Sequence, residues 1–166
     1  EGLVRIYPQS KTVVTRIDVP QIYEAHFLRV ALESEVCRRL ASEGDPGVVT
    51  RARSIIRMQE AVADDPDQMA IFQELDELFH QTLFVGLNRG GLHQLVRERS
   101  GHLERVRRLH LPEQGKVLNI LAGHRAIVEG IASGDENQAV KAIRDHLSQT
   151  VARVEALRQE FPHYFA

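Results

Sequence analysis

From Asp18 to Glu160 the apolar residues recur at helical spacing, and clusters of Gly, Pro and Asp interrupt the recurrence at intervals. This alternation of amphipathic stripes and breakers restricts the chain more than any other feature. Asp18 is an N-cap candidate, with Pro20 suited to a first turn. The helix it opens runs to about Ser42 along Ile22, Ala25, Arg29, Leu32, Val36 and Leu40. Gly44-Asp45-Pro46-Gly47 ends it. A second helix is predicted over about 47–63, with Val48, Ala52, Ile55, Ile56, Gln59 and Val62 on one side. After Asp64-Asp65-Pro66-Asp67, a third runs to about Val85 through Met69, Phe72, Asp76, Phe79, His80 and Leu83. Beyond Gly86–Gly91, the pattern predicts a fourth over about 92–110, a loop at 111–115, and a fifth over about 116–133. Gly134-Asp135 reads as a C-cap glycine followed by an N-cap, and opens a sixth that continues to about 160. Six amphipathic helices with short connections predict an all-α antiparallel bundle, and 166 residues are enough for one domain with a core.

The first 17 residues differ. Leu3-Val4-Arg5-Ile6-Tyr7-Pro8 and Thr12-Val13-Val14-Thr15-Arg16-Ile17 are β-branched and extended in character. Two short strands do not stand alone in water, so this segment is expected to be a linker or the edge of a preceding domain. The domain division is therefore 1–17 and 18–166. A net charge of −2 gives no general case for nucleic-acid binding by these residues. The single cysteine, Cys37, excludes an internal disulfide framework and fits a cytoplasmic, reducing location. No signal-peptide pattern or membrane-length apolar run is present.

Four polar residues interrupt the apolar stripes in a way that points to chemistry. Asp76 and His80 lie one helical turn apart on the Phe72-Phe79-Leu83 face. His124 and His146 hold comparable inward positions on the fifth and sixth helices. A carboxylate buried there alone would be costly. Three imidazoles and one carboxylate converging from three helices make a site for one divalent first-row metal. Without thiolates, the donor set favours Zn or Ni, with Mn or Fe next. The bland alternative is that each His is a satisfied core residue.

Arg29 also sits on an apolar stripe. It needs an anion, either Glu33 in its own helix or a ligand carboxylate held bidentately; snorkelling outward is the third option. His102 and Arg105 suggest a second inward polar patch, whereas Arg107 and Arg108 read as solvated. A metal-dependent enzyme in a helical bundle is the competing function, because a metal site with open positions activates water. Glu77, the nearest candidate base, falls off the ligand face. A di-iron carboxylate protein needs two Glu-x-x-His pairs and two further glutamates, and only Glu77–His80 fits.

The ordered series Phe27-Leu28-Arg29-Val30-Ala31-Leu32-Glu33, Asp76-Glu77-Leu78-Phe79-His80, His102-Leu103-Glu104-Arg105-Val106-Arg107-Arg108-Leu109, His124-Arg125-Ala126-Ile127-Val128-Glu129-Gly130-Ile131, Gly134-Asp135 and Asp145-His146-Leu147 resembles the effector-binding FCD domain of GntR-superfamily transcription regulators, FadR-like subgroup. The resemblance implies a helical domain whose cavity holds one divalent metal through Asp76, His80, His124 and His146. It further implies a small carboxylate effector beside the metal, contacted by Arg29 and by His102 and Arg105. The function implied is sensing rather than catalysis. Gly2–Pro8 resembles the end of a wing from a winged helix-turn-helix domain. Binding of operator DNA is thus implied through an N-terminal domain that this chain lacks, and a homodimer is the implied assembly.

Overall fold

The computed structural model describes residues 2–111 and 115–166. Strands β1 (Val4–Tyr7) and β2 (Lys11–Val14) form an exposed antiparallel hairpin, with Val4 opposite Val14. Eight α-helices follow among the described residues: α1 (Val19–Glu43), α2 (Pro46–Val62), α3 (Met69–Gly86), α4 (Gly90–Arg99), α5 (Gly101–His110), α6 (Lys116–Ala132), α7 (Glu136–Val151) and α8 (Val154–Glu160). Short 3-10 turns sit at Pro66–Gln68 and Pro162–Tyr164.

The expected punctuation operates as capping chemistry. Asp18 accepts from the Gln21 amide at 3.2 Å, Asp45 from Gly47 at 2.8 Å and Asp135 from Gln138 at 2.9 Å. Each satisfies a helix N-terminal donor that would otherwise be unpaired. Gly134, at φ 75°, takes the left-handed turn that ends α6. The middle of the predicted 111–115 loop, residues 112–114, lies outside the described residues.

Two helices predicted as continuous are divided. The fourth breaks between Arg99 and Gly101, giving α4 and α5. Ser100 donates its hydroxyl to the Val96 carbonyl at 2.7 Å, and Gly101 follows. A Ser–Gly pair is a known kink site, and a Cβ at Gly101 would lie 2.7 Å from the Leu3 side chain. The sixth breaks at 152–153, where α8 turns away so that Val154 and Leu157 pack under α5.

The main core lies between α1, α2, α3, α6 and α7, around Phe72, Phe79, Leu83, Phe84, Ile127 and Ile143. A second, smaller core joins Ile17, Ile22 and Ala25 to Leu103 and Val106 of α5, and to Val154, Leu157 and Phe165. The chain end is strapped to its start: Ile17 N donates to Tyr164 O at 2.7 Å, and Ala166 N to Ile17 O at 2.9 Å.

α6 and α7 approach closely at Gly130, where a Cβ would meet the backbone of Ala139 at 2.7 Å. Backbone cannot yield as a side-chain tip can. Gly130→Ala is therefore expected to destabilise the chain by about 1–3 kcal/mol, although alanine is the better helix former. Thermal or urea unfolding measures this, and equal or greater stability would show that the two helices are not in this contact.

Candidate metal centre

Asp76 and His80 project from α3, His124 from α6 and His146 from α7, and all four side chains are buried. One ligand atom from each lies within 4.8 Å of the others. The sequence-predicted quartet is thus assembled in space. His80 Nε2 and His146 Nε2 are 3.3 Å apart, and His124 Nε2 is 3.4 Å from Asp76 Oδ1. Metal–ligand bonds of about 2.0–2.1 Å place neighbouring ligand atoms about 3.0–3.4 Å apart.

The outer faces of the rings fix their inner faces. His124 Nδ1 donates to Gln59 Oε1 at 2.8 Å, and His80 Nδ1 donates to Glu33 Oε2 at 2.6 Å. With the proton on Nδ1, the Nε2 atoms turn inward as ligands. Phe79 stacks flat on His124 at 3.8 Å between ring centres, which locks that ring. Gly123 makes room for His146, since a Cβ there would meet its Nδ1 at 2.5 Å.

Asp76 Oδ1 and His124 Nε2 are buried without a hydrogen-bond partner. Burial pushes the His124 pKa down to about 4, against the pull of Asp76, so its ring is neutral at neutral pH. Burial opposes the Asp76 charge, yet the Arg107 guanidinium beside it holds that carboxyl well below the usual range. Two lone pairs therefore face each other across 3.4 Å. A divalent cation satisfies such a pair, and nitrogen–oxygen donors without sulfur suit zinc or nickel. The residues present fit the metal that the sequence led us to expect.

Glu33, Gln59 and Arg107 were not singled out from sequence for these roles. Glu33 links Arg29 Nε (2.7 Å) to His80, and the two neighbours lower its pKa to about 2 despite complete burial. Arg29 thus has the intrahelical partner that was one of its open readings. Arg107, read as solvated, is instead largely buried and bonds both Asp76 Oδ2 and Glu104. Its neighbours on α5 explain this: Leu103, Val106 and His110 are buried on the same stripe. Gln59, a polar residue within the apolar stripe of α2, was a visible signal. Lys116, buried at the start of α6, had none.

A small cavity of about 30 Å³ adjoins the quartet, room for a water molecule or so. Asp76, His146, Arg29, Arg107, Lys116 and Thr150 are among its lining residues. His102 and Arg105 are not. His102 Nδ1 instead accepts from the Asp18 amide at 3.2 Å, beside the N-terminus of α1. A larger polar groove between α3, α4 and α5 reaches Arg29, Glu33 and His80 from the other side. There Glu77 is held by His93 at 3.0 Å and Arg97 at 3.1 Å.

These shifts set an acid limit. Ordinary histidine titrates near 6.5, and burial lowers His124 to about 4. The unfolded chain then binds more protons than the folded one below about pH 6.5. The His124 contribution is fully present above that pH and is lost as pH falls through about 4; Glu33, lowered to about 2, extends the loss further down. Unfolding of the chelator-treated chain should show stability falling from pH 7 to pH 4. Replacing His124 by Gln should flatten the upper part of that decline.

The FCD domain family matches residues 21–149. An HTH-type transcriptional regulator, uncharacterised, from an unstable DNA locus of Streptomyces ambofaciens is 35% identical over 166 residues, which is all of this chain and 69% of that protein. The HTH-type transcriptional repressor RspR of Escherichia coli K12 is 26% identical over 165 residues, 99% of this chain and 72% of the repressor. A crystal structure of a GntR-family transcriptional regulator from Pseudomonas syringae pv. tomato shares the fold, with a TM-score of 0.64 at 22% identity, covering 95% of this chain and 66% of that one. These relatives are named as transcription regulators, in keeping with the expectation of a sensor rather than an enzyme. The chain belongs to the FCD-domain family, the effector-binding module of GntR-type transcription regulators.

Proposed function

We propose that this domain binds one divalent metal through Asp76, His80, His124 and His146, and a small organic acid beside it. Through them it controls DNA binding by a winged-helix domain that the 166 residues do not contain. The observation that carries this reading is the unpartnered, buried Asp76 Oδ1–His124 Nε2 pair inside a ring of four convergent donors. When bound, the metal supplies a Lewis-acidic centre on which a carboxylate oxygen coordinates. Arg107 is the residue placed to hold the other carboxylate oxygen, because it already reaches Asp76 from the cavity side. Arg29 lines the same cavity and is available through the guanidinium nitrogens not used on Glu33. His102 and Arg105 stand outside its lining, so we assign them no direct contact.

The link to DNA binding runs through α5. One end of that helix carries Arg107 into the cavity. The other packs Gly101 against Leu3 beside the hairpin, and His102 against the start of α1. The cavity is too small for an organic acid as it stands, so a bound ligand draws α5 with Arg107 and moves both contacts. DNA affinity changes to the extent that the ligand prefers one of the two arrangements. Two such chains on two half-sites form the expected assembly.

Metal analysis of the purified chain is expected to give about one divalent ion per chain. His80→Ala, His124→Ala and His146→Ala should each lose it and melt at lower temperature, because a ligand of the folded state stabilises by mass action. Gln59→Leu should keep the ion but bind it about 10- to 100-fold more weakly, the usual effect of removing a partner behind a ligand histidine. Undiminished metal in all three alanine variants would overturn the assignment.

A further inference from the structure

The three histidines of the quartet are backed in three different ways. The outer nitrogen of His124 meets the neutral amide of Gln59, and that of His146 is buried without a hydrogen-bond partner. His80 alone donates to a carboxylate, Glu33, at 2.6 Å. An ionised acceptor behind a ligand imidazole strengthens its donation to a metal more than a neutral amide does. His80 is therefore the ligand that depends most on its outer contact.

Glu33 does not serve His80 alone. Its two oxygens are divided: Oε2 accepts from His80 Nδ1, and Oε1 accepts from Arg29 Nε at 2.7 Å. All three side chains are buried, so water screens neither bond. In that setting the guanidinium charge opposes the pull of the carboxylate on the imidazole proton. Arg29 and Glu33 stand one turn apart on α1, whereas His80 comes from α3. Arg29 bonds to Glu33 and to none of the four donors, so its influence on His80 passes through that carboxylate.

Resting on the metal reading above, we propose that Glu33 is the positioning residue of His80, and that Arg29, acting through Glu33, sets how tightly the quartet holds its ion. By sharing the carboxylate, Arg29 keeps that affinity below its maximum. Arg29 lines both the inner cavity and the outer groove. An anion that draws on its guanidinium from either space relaxes its hold on Glu33 and tightens the ion, and the ion favours that anion in return.

Competition between the 166-residue chain and a zinc chelator tests this at about pH 8, where ordinary histidine is neutral. The set is the wild type, Glu33→Gln, Arg29→Met and the double variant, each also melted without metal. Glu33→Gln is expected to weaken zinc binding about 10- to 100-fold. Arg29→Met should tighten it by on the order of tenfold while lowering the melting temperature of the metal-free chain, because Glu33 is left buried without its cation. A merely structural arginine would lower both. In the Glu33→Gln background the tightening by Arg29→Met should largely disappear. If Arg29→Met does not fold, Glu33→Gln and the double variant, which lacks both charges, are compared directly and should bind zinc alike. Unchanged affinity in Glu33→Gln, no tightening in Arg29→Met, or equal tightening in both backgrounds overturns the relay and leaves the metal reading standing. A wild-type chain that takes up neither zinc nor nickel overturns both.

Discussion

A carboxylate oxygen and an imidazole lone pair that face each other out of reach of water repel unless a cation or proton lies between them. Asp76 and His124 are held in that position from several sides. Gln59 fixes the His124 proton on the outer nitrogen, Phe79 clamps the ring, and Arg107 anchors the other Asp76 oxygen. None of these contacts places a proton between the two acceptors. The surrounding bundle is preorganised around a demand for positive charge, and Arg107 meets part of it from the rim. Preorganisation of this kind makes metal affinity sensitive to residues that never touch the ion.

The same residues explain why the interior tolerates so much polarity. Arg29, Glu33 and His80 form a continuous chain of hydrogen bonds from α1 to α3. Breaking such a chain at one member leaves a buried charge without compensation, which costs more than the intact chain contributes. The inner cavity and the outer α3–α4–α5 groove meet on opposite sides of this chain, and Arg29 and Gln73 line both.

The division of the hydrophobic interior into two cores bears on signalling. The main core holds the helices that carry the metal donors, whereas α5 packs chiefly in the smaller core with the start of α1, α8 and the chain end. A helix seated mainly in a minor core, with one arginine reaching into the major one, is joined to the quartet through the Arg107–Asp76 ion pair. In the function proposed above, that ion pair is the route by which occupancy of the cavity would reach the hairpin end of the molecule.

The all-helical class was legible in the sequence because caps and periodic apolar stripes act over neighbouring residues: Asp18 and Asp135 cap the helices they were expected to start, and Asp45, read only as part of a break, caps the second. The convergence of Asp76, His80, His124 and His146 was legible too, since polar residues on otherwise apolar faces can only point inward. The breaks at Ser100 and Ala152 were not read, because the apolar stripe continues past the local Ser100–Gly101 kink, and Val154 comes to pack under α5 only in the folded chain. The partners of charged residues were legible only within one helix. Glu33, one turn from Arg29, was one of its open readings and is its partner, whereas Arg107 looked solvated and is bound to Asp76, and Lys116 gave no sign of its burial. Periodicity assigns a face to each residue, but which charge meets which across 31 or 47 positions of chain is decided only when the helices pack.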